Sequence, residues 1–233
     1  AANAQACAAT SALAEFTSQL SSRGDGAIRW ALDWALTGDN AAALVAEISL
    51  AGKLVKDALL VELAEDYPGD PGIVVALLLN RVTLTKGQAL YLPAGNMHAY
   101  IRGLGIELMA ASDNVLRGGL TSKHVDVPEL LSVVSDKVVP VPILEPLNVA
   151  QGIDLFVPDV PDFVLAHVVV TSGMSKSDSL SLTRHAIVTC TAGNVTVEGS
   201  DSSVELEQGQ NAFISAEERS LSFAGEGELF IAL

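Results

Sequence analysis

The sequence predicts a mixed fold that is mainly β and contains an all-α segment. Residues 6–66 are rich in Ala and Leu, and their apolar residues recur at spacings of three and four, which is typical of helices. The turn-forming residues 67–72 (Tyr-Pro-Gly-Asp-Pro-Gly) end this pattern. Residues 163–233 then carry short apolar segments at intervals of roughly ten residues, which predicts consecutive β-strands.

The segment between these two parts is predicted to contain short elements of both kinds. The continuous apolar run 73–79 suits a buried strand, and short strands are expected at 88–92, 98–101 and 106–110. Pro128 at a first helical position predicts a short helix over 128–134. Residues 137–162 are rich in Pro and Val and are expected to form an extended linker.

The C-terminal part has the pattern of a β-sandwich or jelly roll. Turns are expected at 192–194, 208–209 and 225–227, where Gly residues cluster with Asn, Gln or Glu. The expected strands are 163–170, 186–190, 195–198, 203–206, 211–214, 221–223 and 228–231.

Composition excludes several classes of function. Apolar residues make up 49% of the 233 residues, and no long uninterrupted apolar stretch occurs, so a packed core is expected and a membrane span is not. The net charge of −15 disfavours nucleic acid as a partner. Cys7 and Cys190 lie far apart without a partner motif, which predicts reduced thiols. We expect a cytoplasmic monomer.

Basic residues are concentrated in one part of this acidic chain. Residues 81–123 contain five basic and two acidic side chains, a local charge of +3. The basic residues are Arg81, Lys86, Arg102, Arg117 and Lys123, and the acidic ones are Glu107 and Asp113. Such a region would attract a small anion, with chance clustering as the alternative.

The pattern Gly87-x5-Pro93-x-Gly95-x2-His98 places a histidine just after a Pro/Gly turn. It resembles the second signature of the cupin jelly roll, in which the histidine points into the barrel as a metal ligand. Arg102 stands where that signature usually has Asn. The resemblance therefore implies cupin-like jelly-roll barrels beside the helical domain, and the alternative for His98 is an ordinary half-buried histidine.

The first cupin signature, which supplies the other metal ligands, is missing. Neither Gln-x-His nor His-x-His occurs in the sequence, whereas a catalytic zinc usually has three protein ligands. The chain also opens without an initiator Met. We therefore expect it to be the C-terminal portion of a longer protein whose upstream part carries the remaining ligands.

Longer motifs resemble the type I mannose-6-phosphate isomerases. They are Asp70-Pro71-Gly72, residues 92–100 around His98, residues 107–121 around Arg117, and residues 123–130. Ser122 stands where that family usually has Pro. The resemblance implies a catalytic cupin barrel with an inserted helical domain and a second jelly roll. Accordingly, we assign 1–66 to the helical domain, 67–136 to the second part of the catalytic barrel, and 137–233 to the C-terminal jelly roll.

The resemblance also implies an activity. The family interconverts mannose 6-phosphate and fructose 6-phosphate by metal-assisted proton transfer through a cis-enediol, with one zinc ion. The expected partner is thus a small sugar phosphate, although this chain is an incomplete enzyme. The alternative is a non-catalytic cupin-type protein that binds a sugar or regulates another protein.

Four residues are candidates for this site. His98 matches the family's last zinc ligand. Arg117 matches its catalytic arginine, and a guanidinium can stabilise an enediolate or clamp a phosphate; pairing with Glu107 or Asp113 is the alternative. Lys123 could meet the phosphate as a point charge or simply lie in solvent. Glu107 could move a proton, hydrogen-bond Arg117, or orient a metal ligand.

Overall fold

The computed structural model describes residues 11–112 and 114–233. Cys7 and Asp113 lie outside these residues. The chain divides into two compact units whose segments alternate along the sequence. We call them the helical unit (Ala1–Thr83, Leu92–Ile101 and Asp113–Val141) and the sheet unit (Leu84–Tyr91, Arg102–Ser112 and Pro142–Leu233).

The helical unit confirms most of the predicted helical segment, as far as it is described. The short helix that follows Asp126 confirms the one predicted over 128–134, with Pro128 in its first turn. The helices are α1 (Ala12–Ser22), α2 (Ala27–Thr37), α3 (Ala41–Val55), α4 (Ala58–Asp66), α5 (Gly72–Leu77) and α6 (Val127–Val133), with a 3₁₀ turn at Gly24–Gly26.

Three aromatic side chains join α1 to α2. The Phe16 ring lies 5.4 Å from the Trp30 ring and 5.5 Å from the Trp34 ring, and both indoles pack against the main cluster of buried side chains in this unit. The Arg23 guanidinium lies 4.6 Å above the Trp30 ring. The tryptophans therefore belong to the core packing, as the spacing of Trp30 and Trp34 on one helix face predicts.

The expectation of a strand over 73–79 is wrong, because Gly72–Leu77 forms helix α5. A continuous apolar run does not by itself distinguish a buried strand from a buried helix. The residues before the run decide the conformation. The Asp70 carboxylate accepts a hydrogen bond from the Gly72 N–H at 2.7 Å, and Pro71 already has helical dihedral angles, so together they start a helical turn.

Glu47 on α3 caps the N-terminus of α1. Its carboxylate accepts hydrogen bonds from the Ser11 hydroxyl and from the N–H groups of Ala12 and Leu13, at 3.1 and 2.9 Å for the two backbone donors. These bonds, above all the one from Ser11, hold the pKa of Glu47 below its ordinary value. The ionised carboxylate therefore stabilises the folded state.

The variant Glu47→Gln is expected to have a lower thermal unfolding midpoint than the wild type at pH 7. The pKa of Glu47 is depressed by folding, so its contribution is complete above the unfolded value of about 4.3 and is lost as pH falls through the folded pKa. The difference in thermal unfolding midpoint between the wild type and Glu47→Gln should thus become smaller below about pH 4. Glu65→Gln, at an exposed position on α4, is the control. A gap independent of pH would contradict this explanation.

The sheet unit is built around one antiparallel sheet, and a separate short pair joins β1 (Ala89–Leu90) to β2 (Ile143–Leu144). The other strands are β3 (Leu147–Ala150), β4 (Ile153–Phe156), β5 (Leu165–Val170), β6 (Leu180–Ser181), β7 (Ala186–Glu198), β8 (Ser203–Glu207), β9 (Asn211–Ile214) and β10 (Ser220–Ala232). The strand order in the sheet is β3-β4-β5-β10-β7-β8, and in addition β6 pairs with β10 and β9 pairs with β7. Along the described strands, the order does not return from β8 to β3.

Two predicted turns are strand interiors instead. Residues 192–194 lie inside β7 and residues 225–227 inside β10, which pair with each other across a β-bulge at Glu228 and Leu229. Gly193 has φ +75°, and a Cβ there would collide with the Glu226 carbonyl oxygen. These glycines therefore mark a bulge and a close backbone approach, which sequence alone does not separate from a turn.

Three further expectations also need correction. The stretch 137–162 is no linker, because it contains β2, β3 and β4. In the described part of the chain, residues 98–101 and 106–110 have no regular strand structure. A strand is defined by its pairing partner, which a local apolar pattern does not reveal.

The core of the sheet unit lies on one face of this sheet, where alternate residues of β5, β7 and β10 are buried. Val168, Val188, Leu229 and Ile231 are fully buried, and Cys190 is a buried free cysteine. Among residues 11–112 and 114–233, none of the helices is both long and apolar enough to cross a membrane.

Replacing Leu229 by Ala should lower the free energy of unfolding of the sheet unit by about 2–5 kcal/mol, because the cavity cannot be refilled by neighbouring side chains. Urea denaturation followed by far-UV circular dichroism measures this loss. Leu147→Ala, at a site 58% exposed, is the matched control and should cost far less. Equal effects of the two substitutions would contradict the assignment of the core.

Candidate active site

The loop that carries His98 is fixed to the end of α6. The Asn96 N–H donates to the Pro93 carbonyl at 3.1 Å, and the Ser135 N–H donates to the Gly95 carbonyl at 2.9 Å. Gly95 has φ +79°, and a Cβ there would lie 2.9 Å from the Val133 carbonyl oxygen. Glycine is therefore required at this turn by both its dihedral angle and its surroundings.

The His98 side chain is exposed and has a defined tautomer. Its Nδ1 lies 3.0 Å from the Asn96 carbonyl oxygen, and its ring centre lies 5.8 Å from that of Tyr100. A carbonyl oxygen can only accept, so Nδ1 carries the hydrogen. The lone pair of Nε2 is then available to a metal ion, and the backbone contact orients the ring as in known metal-binding histidines.

One hydrophobic cluster anchors both His98 and Arg117. Met97 and Leu116 pack against the same cluster of four buried residues, and each directly precedes one of the two candidate residues. The buried residues are Leu32, Val75, Leu130 and Val134. A Cβ added at Gly118 would lie 3.1 Å from the Met97 Cε, so the two segments also touch each other. The half-buried Arg117 therefore lies between two residues, Leu116 and Gly118, that pack against the cluster or against Met97.

The segment after Arg117 touches the turn before α5 backbone to backbone. A Cβ at Gly119 would lie 2.6 Å from the Gly72 Cα and 2.7 Å from the Asp70 Oδ1, and one at Gly72 would lie 2.7 Å from the Leu120 nitrogen. Gly119 has φ +120° and Leu120 has φ +52°, which is unusual for leucine. We call this contact the Gly72–Gly119 joint. Strain of this kind persists only where the surroundings enforce it.

Gly119→Ala is expected to lower the free energy of unfolding by about 2 kcal/mol or more, because Ala disfavours this dihedral angle and its methyl group meets backbone atoms. Both tryptophans lie in the helical unit, so intrinsic fluorescence during urea denaturation reports on this unit. Gly26→Ala is the control, since a Cβ at Gly26 meets nothing within 4 Å. Equal free energies of unfolding for Gly119→Ala and Gly26→Ala would contradict a close backbone contact at the Gly72–Gly119 joint.

Arg81 and Lys86, both in the basic 81–123 region, form ion pairs. Arg81 lies 3.1 Å from the Asp57 carboxylate, and Lys86 lies 3.0 Å from the Glu228 carboxylate. Hydrogen bonds from the Leu60 N–H and from Arg81 hold the pKa of Asp57 below its ordinary value. Arg81 and Lys86 are therefore committed to structural partners.

The four candidate residues divide between the two units. His98, Arg117 and Lys123 belong to the helical unit, whereas Glu107 belongs to the sheet unit. Lys123 is exposed, and its N–H donates to the Thr121 Oγ1 at 3.1 Å. Glu107 is also exposed. The hydrophobic cluster thus anchors the segments of His98 and Arg117, and Lys123 lies six residues after Arg117.

The residues described do not form a complete zinc site. Within the ranges 11–112 and 114–233, three or more His, Cys, Asp or Glu side chains nowhere converge as metal ligands. His98 offers one suitable nitrogen, whereas a catalytic zinc takes three protein ligands.

The sequence predicts His98 and Arg117 as site residues, but it does not reveal the residues that anchor their two segments. Met97, Leu116 and the Gly72–Gly119 joint carry no chemistry of their own, so they do not stand out as candidates. A signal was present in the adjacent glycines 118 and 119 and in the Asp-Pro-Gly turn, since both favour unusual backbone geometry and close approach.

Comparison with known proteins identifies the family. Residues 153–233 match the family model described as mannose-6-phosphate isomerase, cupin domain. The mannose-6-phosphate isomerase of Escherichia coli (strain K12) is 38% identical to the chain over 168 residues, which is 72% of this chain. The chain belongs to the mannose-6-phosphate isomerase family. The mannose-6-phosphate isomerase of Bos taurus is 35% identical over 169 residues, or 69% of the chain.

Solved structures of mannose-6-phosphate isomerases share this fold. The apo form from Salmonella typhimurium covers 93% of the chain with a TM-score of 0.80 at 28% identity, and a zinc-bound holo form gives the same values. The chain spans 42% of the Escherichia coli relative, 39% of the bovine one and 56% of each of these solved chains. The similarity therefore covers most of this chain and only part of its relatives.

Proposed function

We propose that this chain forms part of an enzyme that interconverts mannose 6-phosphate and fructose 6-phosphate by proton transfer through a cis-enediol. The observation that carries the proposal is that Met97 and Leu116 pack against the same cluster of buried residues. This cluster therefore holds together the two most specific sequence motifs, those around His98 and Arg117. The similarity to mannose-6-phosphate isomerases over 72% of the chain supports the same activity.

Zinc is the metal that the proposal includes, with His98 as the single ligand contributed by this chain. Its exposed ring and its Nδ1 contact with Asn96 suit a ligand that binds through Nε2. The zinc-bound relative supports the choice of metal. Zinc would supply a positive charge that polarises sugar oxygens.

The other candidate residues would bind and stabilise the substrate. The Arg117 guanidinium would stabilise the negative charge of the enediolate or hold the phosphate with two hydrogen bonds. Lys123 would meet the phosphate as a point charge. Glu107 would move the proton or orient a neighbouring group.

Two finer features of the fold belong to the same proposal. The match of residues 153–233 to a cupin-domain model supports a C-terminal jelly roll within 137–233. The helical domain would be 1–66, and the second part of a catalytic cupin barrel would be 67–136. A non-catalytic sugar-binding protein is not favoured, because the relatives described above are isomerases by name.

A chimera tests this proposal directly. In it, the chain replaces the matching part of the Escherichia coli relative, and isomerisation of mannose 6-phosphate is measured with zinc present. We expect an active enzyme in which Arg117→Ala lowers kcat/KM by about 10²–10³-fold, since a lost charge-stabilising donor costs that much. Arg29→Ala, on helix α2, is the matched control and should retain activity.

Two further substitutions separate the proposed roles. Lys123→Ala should raise KM about tenfold with less effect on kcat, because one charged hydrogen bond to the substrate is lost, and Lys137→Ala is its control. His98→Ala should lose bound zinc. A folded, zinc-loaded chimera without activity, or full activity after Arg117→Ala, would overturn the proposed function.

A further inference from the structure

Glu228 on β10 is the centre of a polar cluster that the proposed chemistry does not use. Its side chain is 14% exposed, and one carboxylate oxygen lies 2.8 Å from the His167 Nε2 and 3.0 Å from the Lys86 Nζ. The Thr191 hydroxyl lies 3.4 Å from the other oxygen. His167 is itself buried and stacks on Phe230, with ring centres 4.6 Å apart. All of these residues belong to the sheet unit.

Lys86 supplies the formal positive charge next to this carboxylate. Burial by itself raises the pKa of Glu228, but the hydrogen bonds from His167 and Lys86 outweigh burial and leave the pKa below its ordinary value. Glu228 is therefore ionised at neutral pH. A largely buried carboxylate is costly without such partners, so removing Lys86 would leave the Glu228 charge less well compensated.

Lys86 projects from a turn that is already closed by its own hydrogen bonds. The Thr85 N–H and hydroxyl both donate to the Gln88 Oε1, at 2.8 and 3.0 Å, and the Gln88 N–H donates to the Thr85 carbonyl at 3.0 Å. Gly87 has φ +88°, which the turn requires. A preformed turn loses little conformational entropy when Lys86 binds, so one ion pair can hold the whole turn.

The residues after this turn are held at a second point. Ala89 and Leu90 pair with Leu144 and Ile143, and the Tyr91 N–H donates to the Pro142 carbonyl at 3.1 Å. This pairing is too short to be stable alone. The stretch Leu84–Tyr91 contains the first glycine of the histidine motif, Gly87, and belongs to the sheet unit through these two attachments.

We propose that Glu228 is a positioning residue that fastens the Thr85–Gln88 turn to the C-terminal sheet through Lys86. The sheet unit thereby holds the start of the histidine motif in place. This role goes beyond the proposed isomerase activity and does not depend on it.

Hydrogen–deuterium exchange of the full chain, followed by mass spectrometry, tests this role without an activity assay. Lys86→Met removes the charge from a side chain that is 79% exposed, so the fold is not at risk. We expect exchange in peptides covering 84–91 to become about threefold faster or more, with unchanged exchange in β5 and β7. Lys86→Arg, which keeps the charge, should restore slow exchange.

Lys176→Met is the matched control, because it breaks the pair of Lys176 with Glu198, at 2.8 Å, elsewhere in the same unit. It should leave exchange in 84–91 unchanged. Glu228→Gln should accelerate exchange in 84–91 as Lys86→Met does, and the two changes combined should add nothing further. Exchange in 84–91 that stays within the wild-type range after Lys86→Met, or that rises equally after Lys176→Met, would overturn the proposal.

Discussion

The Gly72–Gly119 joint is the contact on which the candidate site depends. Side chains can adjust to a neighbour more easily than two touching backbones can, so this contact constrains the path of the chain at residues 118–120. The path includes a leucine with φ +52° directly after the joint. Arg117, two residues before Gly119, belongs to the segment that this contact holds in place.

The hydrophobic cluster beneath Met97 and Leu116 complements the joint. It combines residues from α2, α5 and α6 with two loop residues, so regular elements support a site made of irregular segments. Chemical groups on loops are precise only when such a scaffold holds the loops. The apolar residues Met97 and Leu116 thus attach the segments of His98 and Arg117 to this scaffold.

The predictable features were those with a local signal. Helical periodicity revealed α1 to α4, and the spacing of glycine, proline and His98 revealed the loop that carries the histidine. Helix α5 was missed because its apolar run suits either conformation and its start depends on one Asp70 hydrogen bond. The full lengths of β7 and β10 could not be predicted, because they depend on the pairing of residues distant in sequence. The contact of Lys86 with Glu228 likewise leaves no local sequence pattern.

The two units alternate along the chain, which constrains how the molecule is made. Helices α1 to α5 precede the segment 118–120, which packs against Gly72, and two stretches of the other unit, Leu84–Tyr91 and Arg102–Ser112, lie between them in sequence. Neither unit can therefore be completed during synthesis until its later segments have emerged from the ribosome.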